Sequence, residues 1–184
     1  SAVELHRSIE SVPCVQGAVD FLRLREAIRS SVSDRPVAGT IELLSFQGKE
    51  KDSQRAGQKA WNEALLYRRA LCAGEEILHA SAAFPLRDLI QHIHHRLFCN
   101  RPRKKSFAGR LRRGPIQMGQ GDHYVPPPYR HVVPLLHALE RQLNRPSEID
   151  PFVLAFMVHY QFESIHPFTD GNGRVGRILL ALSL

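Results

Sequence analysis

Cysteine is scarce in this chain: three among 184 residues, Cys14, Cys72 and Cys99, odd in number and far apart. That pattern excludes a disulfide framework and a CxxC zinc site, and it fits reduced thiols in a cytoplasmic protein. No apolar run is long enough to span a bilayer, and the N-terminus lacks a signal-peptide pattern, so no membrane partner is expected. There is no GxxxxGK[ST] stretch, and no strand pattern leads into the glycine-rich segment near the C-terminus. A P-loop and a dinucleotide-binding Rossmann turn are therefore unsupported.

Hydrophobic residues make up 43% of the chain, enough for one domain with a real core and a small appended segment. The formal charge of +7 implies an anionic partner without saying which. Much of the excess lies in Arg101-Pro102-Arg103-Lys104-Lys105 and Arg110-Leu111-Arg112-Arg113. A solvated loop is the ordinary outcome for such runs.

Helical periodicity dominates. Residues 16–30 carry Val19, Leu22, Leu24 and Ile28 at helical spacing, and a weakly patterned connection follows over about 31–56. A second helix is expected over 57–80, with Trp61, Leu65, Leu66, Ala70 and Ile77 on one side. Pro85 suits the first turn of a third, running to about Phe98. Glycines and the Pro126-Pro127-Pro128 run interrupt residues 100–128. Helices resume at 130–144 and after Pro146-Ser147, with Ser147 as the expected N-cap and Phe152, Ala155, Phe156, His159 and Phe162 leading to the next segment. The expected division is a 1–56 N-terminal helical segment and a 57–184 core.

That next segment, His166 to Arg177, reads HPFTDGNGRVGR. Pro167 disfavours α conformation at His166, so the preceding helix should end there and leave the imidazole at a loop mouth. With an unperturbed pKa of about 6.5, histidine serves as a base near neutrality. Gly171-Asn172-Gly173 precedes an apolar helical run, and glycines there turn backbone N–H groups toward a phosphate at the helix N-terminus. Asn172 suits a helix cap or a phosphate contact. Arg174 and Arg177 should project from one side of the first turn, about 5–6 Å apart at Cβ. A polyphosphate relieves their repulsion, and Mg²⁺ reconciles the Asp170 carboxylate with that anion. The segment reads as a nucleoside-triphosphate site with a base beside it.

These residues resemble the signature HxFx[D/E]GN[G/K]RxxR of Fic-domain proteins, with every specified position filled. The lead-in His159-Tyr160-Gln161-Phe162-Glu163-Ser164-Ile165, the stretch Gly109-Arg110-Leu111-Arg112 and Tyr124-Val125-Pro126-Pro127-Pro128 extend the likeness, although Leu111 replaces a common aromatic. The resemblance implies an all-α Fic-fold helical domain with a short β-hairpin flap. It implies transfer of AMP from ATP to a Ser, Thr or Tyr hydroxyl of a protein substrate, self-modification included, and it leaves homo-oligomers open. Carried over, His166 would be the base and Asp170 would hold Mg²⁺. Gly171, Asn172 and Gly173 would form the anion hole, with Arg174 and Arg177 at the outer phosphates. Arg112, Arg113, Gly114, Pro115, Ile116, Gln117 and Met118 would form the target-positioning flap, pairing with target backbone by strand addition.

Many Fic proteins also carry an inhibitory helix, [S/T]xxxE[G/N], whose glutamate pairs with the second signature arginine. His6-Arg7-Ser8-Ile9-Glu10-Ser11 is a degraded form of it, with Glu10 the residue expected to meet Arg177. Three rivals are set beside this reading. A Fic-fold enzyme can transfer UMP, phosphocholine or a phosphoryl group instead. A nucleic-acid module on the 101–113 basic run is disfavoured by sparse aromatics, with Phe107 alone. A metal site at His92-Ile93-His94-His95 has two histidines on one helix face but no adjacent carboxylate or cysteine.

Overall fold

A computed structural model describes residues 51–80, 84–100, 107–116, 124–145 and 148–183. The 16–30 helix, Glu10, the 101–105 basic run, Gln117, Met118 and Ser147 lie outside the described residues. The chain divides into two compact units, residues 1–68 and 69–184. The sequence-based division at 56/57 falls within α1, Lys51–Ala80. The buried residues of α1 are Ala64, Tyr67, Ala70, Leu71, Ala73 and Gly74, so the inward stripe is offset from Trp61, Leu65, Leu66 and Ile77, which are half-buried. Tyr67 and Leu71 are the large side chains of that stripe, and alanines and Gly74 fill the rest of it.

The second unit continues with α2 (Leu86–Phe98), a 3-10 turn (Tyr129–His131), α3 (Val132–Leu143), α4 (Pro151–Ile165) and α5 (Asn172–Leu182). Among the described residues there is no β-strand, only an isolated bridge position at Tyr124, and residues 110–116 are irregular backbone. The fold is mostly helical, as expected; a hairpin flap is not part of what is described. No helix among the described residues is long and apolar enough to cross a membrane. Neither Cys72 nor Cys99 is in a disulfide.

Pro85 takes the N-cap position of α2 at φ −59°, and its carbonyl accepts from Asp88 and Leu89 N–H, both at 3.0 Å. The opening N–H of Leu86 has no intrahelical acceptor and is satisfied across the fold by Glu140 Oε1 of α3 at 2.8 Å. The start of α4 departs from expectation. Its cap is Asp150, not Ser147, because Pro151 presets the first helical φ and the Asp150 carboxylate accepts from Phe152 and Val153 N–H at 2.9 and 3.3 Å.

α4 packs on α3 and α5, and α2 packs on α3 and α5. The shared core contains Ile90, Ile93, Leu97, Phe98, Leu136, Leu139, Phe162, Phe168 and Ile178, each at most 1% exposed. Burial of each such side chain is worth roughly 1.5–3 kcal/mol relative to exposure. On α4 only Ala155 and Phe162 of the expected aromatic series turn inward, while Phe152 and Phe156 are 61% and 59% exposed. Gly176 of α5 allows a close approach to α4: a Cβ there would lie 2.3 Å from Glu163 Oε1 and 3.1 Å from the His159 ring. The end of α4 is thereby held tightly against the first turns of α5.

Candidate active site

α4 stops where Pro167 says it should. His166 is its C-cap, its N–H bonded to Phe162 O at 3.0 Å. Its backbone is left-handed, φ 50° and ψ 63°, the sole non-glycine with positive φ among the described residues. That conformation costs an L-residue about 1–2 kcal/mol and persists only where neighbours impose it. Arg112 bonds the peptide groups on either side of His166. The guanidinium, on a residue 4% exposed, donates from Nε to His166 O at 2.8 Å and from Nη2 to Ile165 O at 3.3 Å. It also reaches Pro127 O through Nη2 and Gly114 O through Nη1 at 3.2 Å. Its backbone N–H meets Pro167 O at 2.9 Å. Arg112 was expected in an anion-contacting run and on the target-facing flap; its side chain instead lies inside, satisfying carbonyls that a helix C-terminus leaves without partners. Arg110 and Arg113 are exposed.

The His166 ring is oriented by its own helix. Nδ1 lies 3.2 Å from Glu163 O, and a carbonyl only accepts, so Nδ1 carries the proton and Nε2 keeps its lone pair. The Glu163 carboxylate stands 3.9 Å from the same nitrogen. Burial lowers the pKa of His166 below 6.5; the Glu163 carbonyl opposes the shift and the Arg112 charge adds to it. The ring is therefore neutral at pH 7, with Nε2 as its basic atom.

The turn that follows is cinched by Asn172, 2% exposed. Its Oδ1 accepts from Phe168 N–H at 2.9 Å and its Nδ2 donates to Phe168 O at 2.8 Å. The side chain expected to cap the helix or meet a phosphate is thus a loop clasp. Gly171 caps α5 at φ 82°, and a Cβ there would sit 2.5 Å from the Phe98 ring, so no other residue fits. The first N–H groups of α5 have no intrahelical acceptors and form the positive end of the helix dipole.

The two arginines part company. Arg174, 9% exposed, turns inward with its guanidinium carbon 4.7 Å from the Phe98 ring centroid and Nη2 3.8 Å from Asp170 Oδ1. Arg177 lies back over the first turn, its Nη1 3.1 Å from where a Gly173 Cβ would be. The Asp170 side chain is 41% exposed. Of the expected flap, Arg113 and Pro115 are exposed and Gly114 and Ile116 half-buried.

One residue at the site escaped the sequence reading in this role. His94, fully buried on α2, accepts the Gly109 N–H at Nδ1 (2.8 Å), which leaves Nε2–H to donate to Asp170 O at 3.0 Å. Its ring stacks on Phe168 at 4.0 Å. Burial drives its pKa down to about 4, against the opposing pull of the Asp170 carbonyl and carboxylate. The signal was present: His94 falls within the apolar stripe Ile90, Ile93, Leu97, Phe98. As for the His92-Ile93-His94-His95 metal reading, no three His, Cys, Asp or Glu side chains gather as ligands among the described residues.

Known proteins resemble this chain in sequence and in fold. The chain is 52% identical over 56 residues to a probable protein adenylyltransferase of Aquifex aeolicus, a match covering 30% of this chain and 17% of that protein. It is 39% identical over 77 residues to protein adenylyltransferase fic-1 of Caenorhabditis elegans, covering 41% of this chain and 15% of the relative. Each match thus spans less than a fifth of the relative's length. A Fic domain containing signaling protein from Bacteroides thetaiotaomicron shares the fold with TM-score 0.74 and 19% identity, over 97% of this chain and 69% of that one. A Fic family protein from Desulfovibrio desulfuricans does so with TM-score 0.61 and 22% identity, over 94% and 52%. Residues 83–184, more than half of the chain, match the Fic/DOC family model, and the chain belongs to that family.

Proposed function

We propose that this domain transfers AMP from ATP to a hydroxyl of a protein substrate, its own chain included. The observation that carries the reading is the neutral His166, its Nδ1–H engaged with Glu163 O and its Nε2 left basic, a few residues ahead of Gly171–Gly173 in the chain. The names borne by relatives matched at 52% and 39% identity support the same activity.

In this mechanism His166 Nε2 takes the proton of a Ser, Thr or Tyr hydroxyl. The oxygen attacks the α-phosphorus, the bond to the bridging oxygen breaks in line, and pyrophosphate leaves. The proton remains on the imidazole, where Glu163, with its carbonyl and nearby carboxylate, stabilises the cation. Backbone N–H groups at the start of α5 would hold phosphate oxygens, with Arg177 over Gly173 for the outer phosphates. Arg174, stacked on Phe98, would meet the β-phosphate from its inner side. Asp170 suits Mg²⁺: its half-exposed carboxylate is a hard oxygen donor, and that ion is commonly bound by one or two carboxylates plus substrate phosphates. When bound, Mg²⁺ would neutralise charge on the α- and β-phosphates. The 113–116 stretch, exposed at Arg113 and Pro115, would align target backbone by edge pairing.

Glu10 would restrain the reaction by pairing with Arg177 in place of the γ-phosphate. Losing one charge-assisted pair should raise self-modification by about tenfold in Glu10→Gly. The reaction is tested by incubating the chain with ATP, Mg²⁺ and lysate, then identifying adducts by mass spectrometry. An AMP adduct on a hydroxyl residue is expected. A UMP, phosphocholine or phosphoryl adduct assigns the alternative transfer. Equal modification by wild type and Glu10→Gly removes the inhibitory role.

A further inference from the structure

Four carbonyls from three separate stretches converge on one buried guanidinium. Arg112 holds Ile165 O and His166 O at the end of α4, Gly114 O in its own segment and Pro127 O in the proline run. Its backbone N–H holds Pro167 O. Tyr124 adds a parallel tie, its hydroxyl donating to Ser164 O at 2.9 Å. Nothing about forming a hydrophobic core calls for a charged side chain here, and a buried guanidinium is costly unless its donors are satisfied. The donors are aimed at the one left-handed non-glycine residue described, which is also the residue with the basic imidazole.

We infer that Arg112 is a positioning residue for the reaction proposed above, a clamp that fixes His166 in its left-handed backbone and holds it at a set distance from residues 113–116. Without the clamp, His166 loses the contacts that offset its backbone strain and relaxes toward ordinary dihedrals. The ring is oriented from that backbone through a single Cβ, so a φ change of tens of degrees swings Nε2 by an ångström or more. The root of the segment where a target strand would pair is bonded to the next peptide group along, through Arg112 N–H and Pro167 O. Hydroxyl depth and base position are therefore set by one side chain. The geometry of the fork matters more than its charge: lysine supplies a cation, but not the planar set of donors that spans carbonyls on both sides.

The test separates geometry from charge and from the proposed activity itself. The charged groups recorded facing the His166 ring are Glu163 from α4 and Arg112 from the preceding loop. In the unliganded domain, ¹⁵N NMR of the His166 ring should show the Nδ1–H tautomer in wild type and a mixture of tautomers in Arg112→Gln and Arg112→Lys. In the labelled-ATP assay both variants should lose about 100-fold in kcat, the usual consequence of an ångström-scale misplacement, with KM for ATP unchanged. An unchanged His166 spectrum in both variants overturns the inference. So does rescue of kcat by Arg112→Lys, or a raised KM with kcat intact, which would make Arg112 a phosphate ligand. If wild type transfers nothing from ATP, the reaction reading fails while the NMR comparison still decides the clamp. Should neither variant fold, wild type alone suffices. The Arg112 Nε–H must then exchange slowly and show a nuclear Overhauser contact to His166 Hα, and rapid exchange overturns the clamp.

Discussion

Two histidines differ in what their ring nitrogens do, and the contrast separates a structural imidazole, His94, from the one proposed as the base, His166. His94 at the centre of α2 has both ring nitrogens bonded to backbone, one from Gly109 and one to Asp170, and its faces are covered by Phe168 and Phe98. His166 at the end of α4 has one nitrogen bonded to Glu163 O, and no bond is recorded for the other among the described residues. Burial lowers the pKa of both. Desolvation alone therefore does not mark a base. What marks it is a lone pair left over after the ring has been oriented.

The contrast can be broken at either end. His166→Ala should reduce transfer at least 10²–10⁴-fold, the usual worth of a general base, with little change in the denaturation midpoint. His94→Ala should do the reverse in kind. It removes a filled core site and strands the Gly109 N–H and Asp170 carbonyl, costing about 4 kcal/mol of stability by urea denaturation. A stable His94→Ala with normal activity would mean that the pin is dispensable.

Acid sharpens the comparison. Unfolded His94 takes up its proton near pH 6.5, whereas the folded ring does so only near pH 4. Its contribution is thus fully present above about pH 6.5 and lost as the pH falls toward 4, for a total of about 3 kcal/mol. Urea midpoints measured across that window should fall, and most of the slope should vanish in a folded His94 variant such as His94→Gln. For His166 the same direction of shift places the acid limb of the transfer rate below pH 6.5. Gly171→Ala falls on the His94 side of the turn, where an added Cβ would meet the Phe98 ring and lie 3.7 Å from His94 Nε2. The left-handed backbone and the Phe98 contact together cost about 2 kcal/mol, and phosphate affinity should fall as the turn shifts.

Local features were the legible ones. Pro85 marked the start of α2, Pro167 marked the end of α4, and the glycines of the quoted turn stand where the backbone needs them, because each acts within a residue or two of itself. Contacts made at long range were not legible. Arg112 sits in a run of basic residues whose composition argues for solvent, yet two of its partners, His166 O and Ile165 O, lie 54 and 53 positions away. Arg174 and Arg177 share a helical turn, but Phe98, brought in by α2, draws Arg174 inward and leaves Arg177 over Gly173. Asn172 was weighed for a ligand, and its neighbour at Phe168 satisfies both ends of the amide. Asp150 displaced Ser147 as the α4 cap because Pro151 fixes where the helix begins.

The central claim is that His166 delivers a hydroxyl to the α-phosphorus of ATP. It is tested by supplying wild type, Glu10→Gly and His166→Ala with ATP labelled at the α- or the γ-phosphate and counting label retained on protein. Retention of the α-label alone is expected, strongest in Glu10→Gly and absent in His166→Ala. Retention of the γ-label, or equal α-labelling when His166 is alanine, would contradict it.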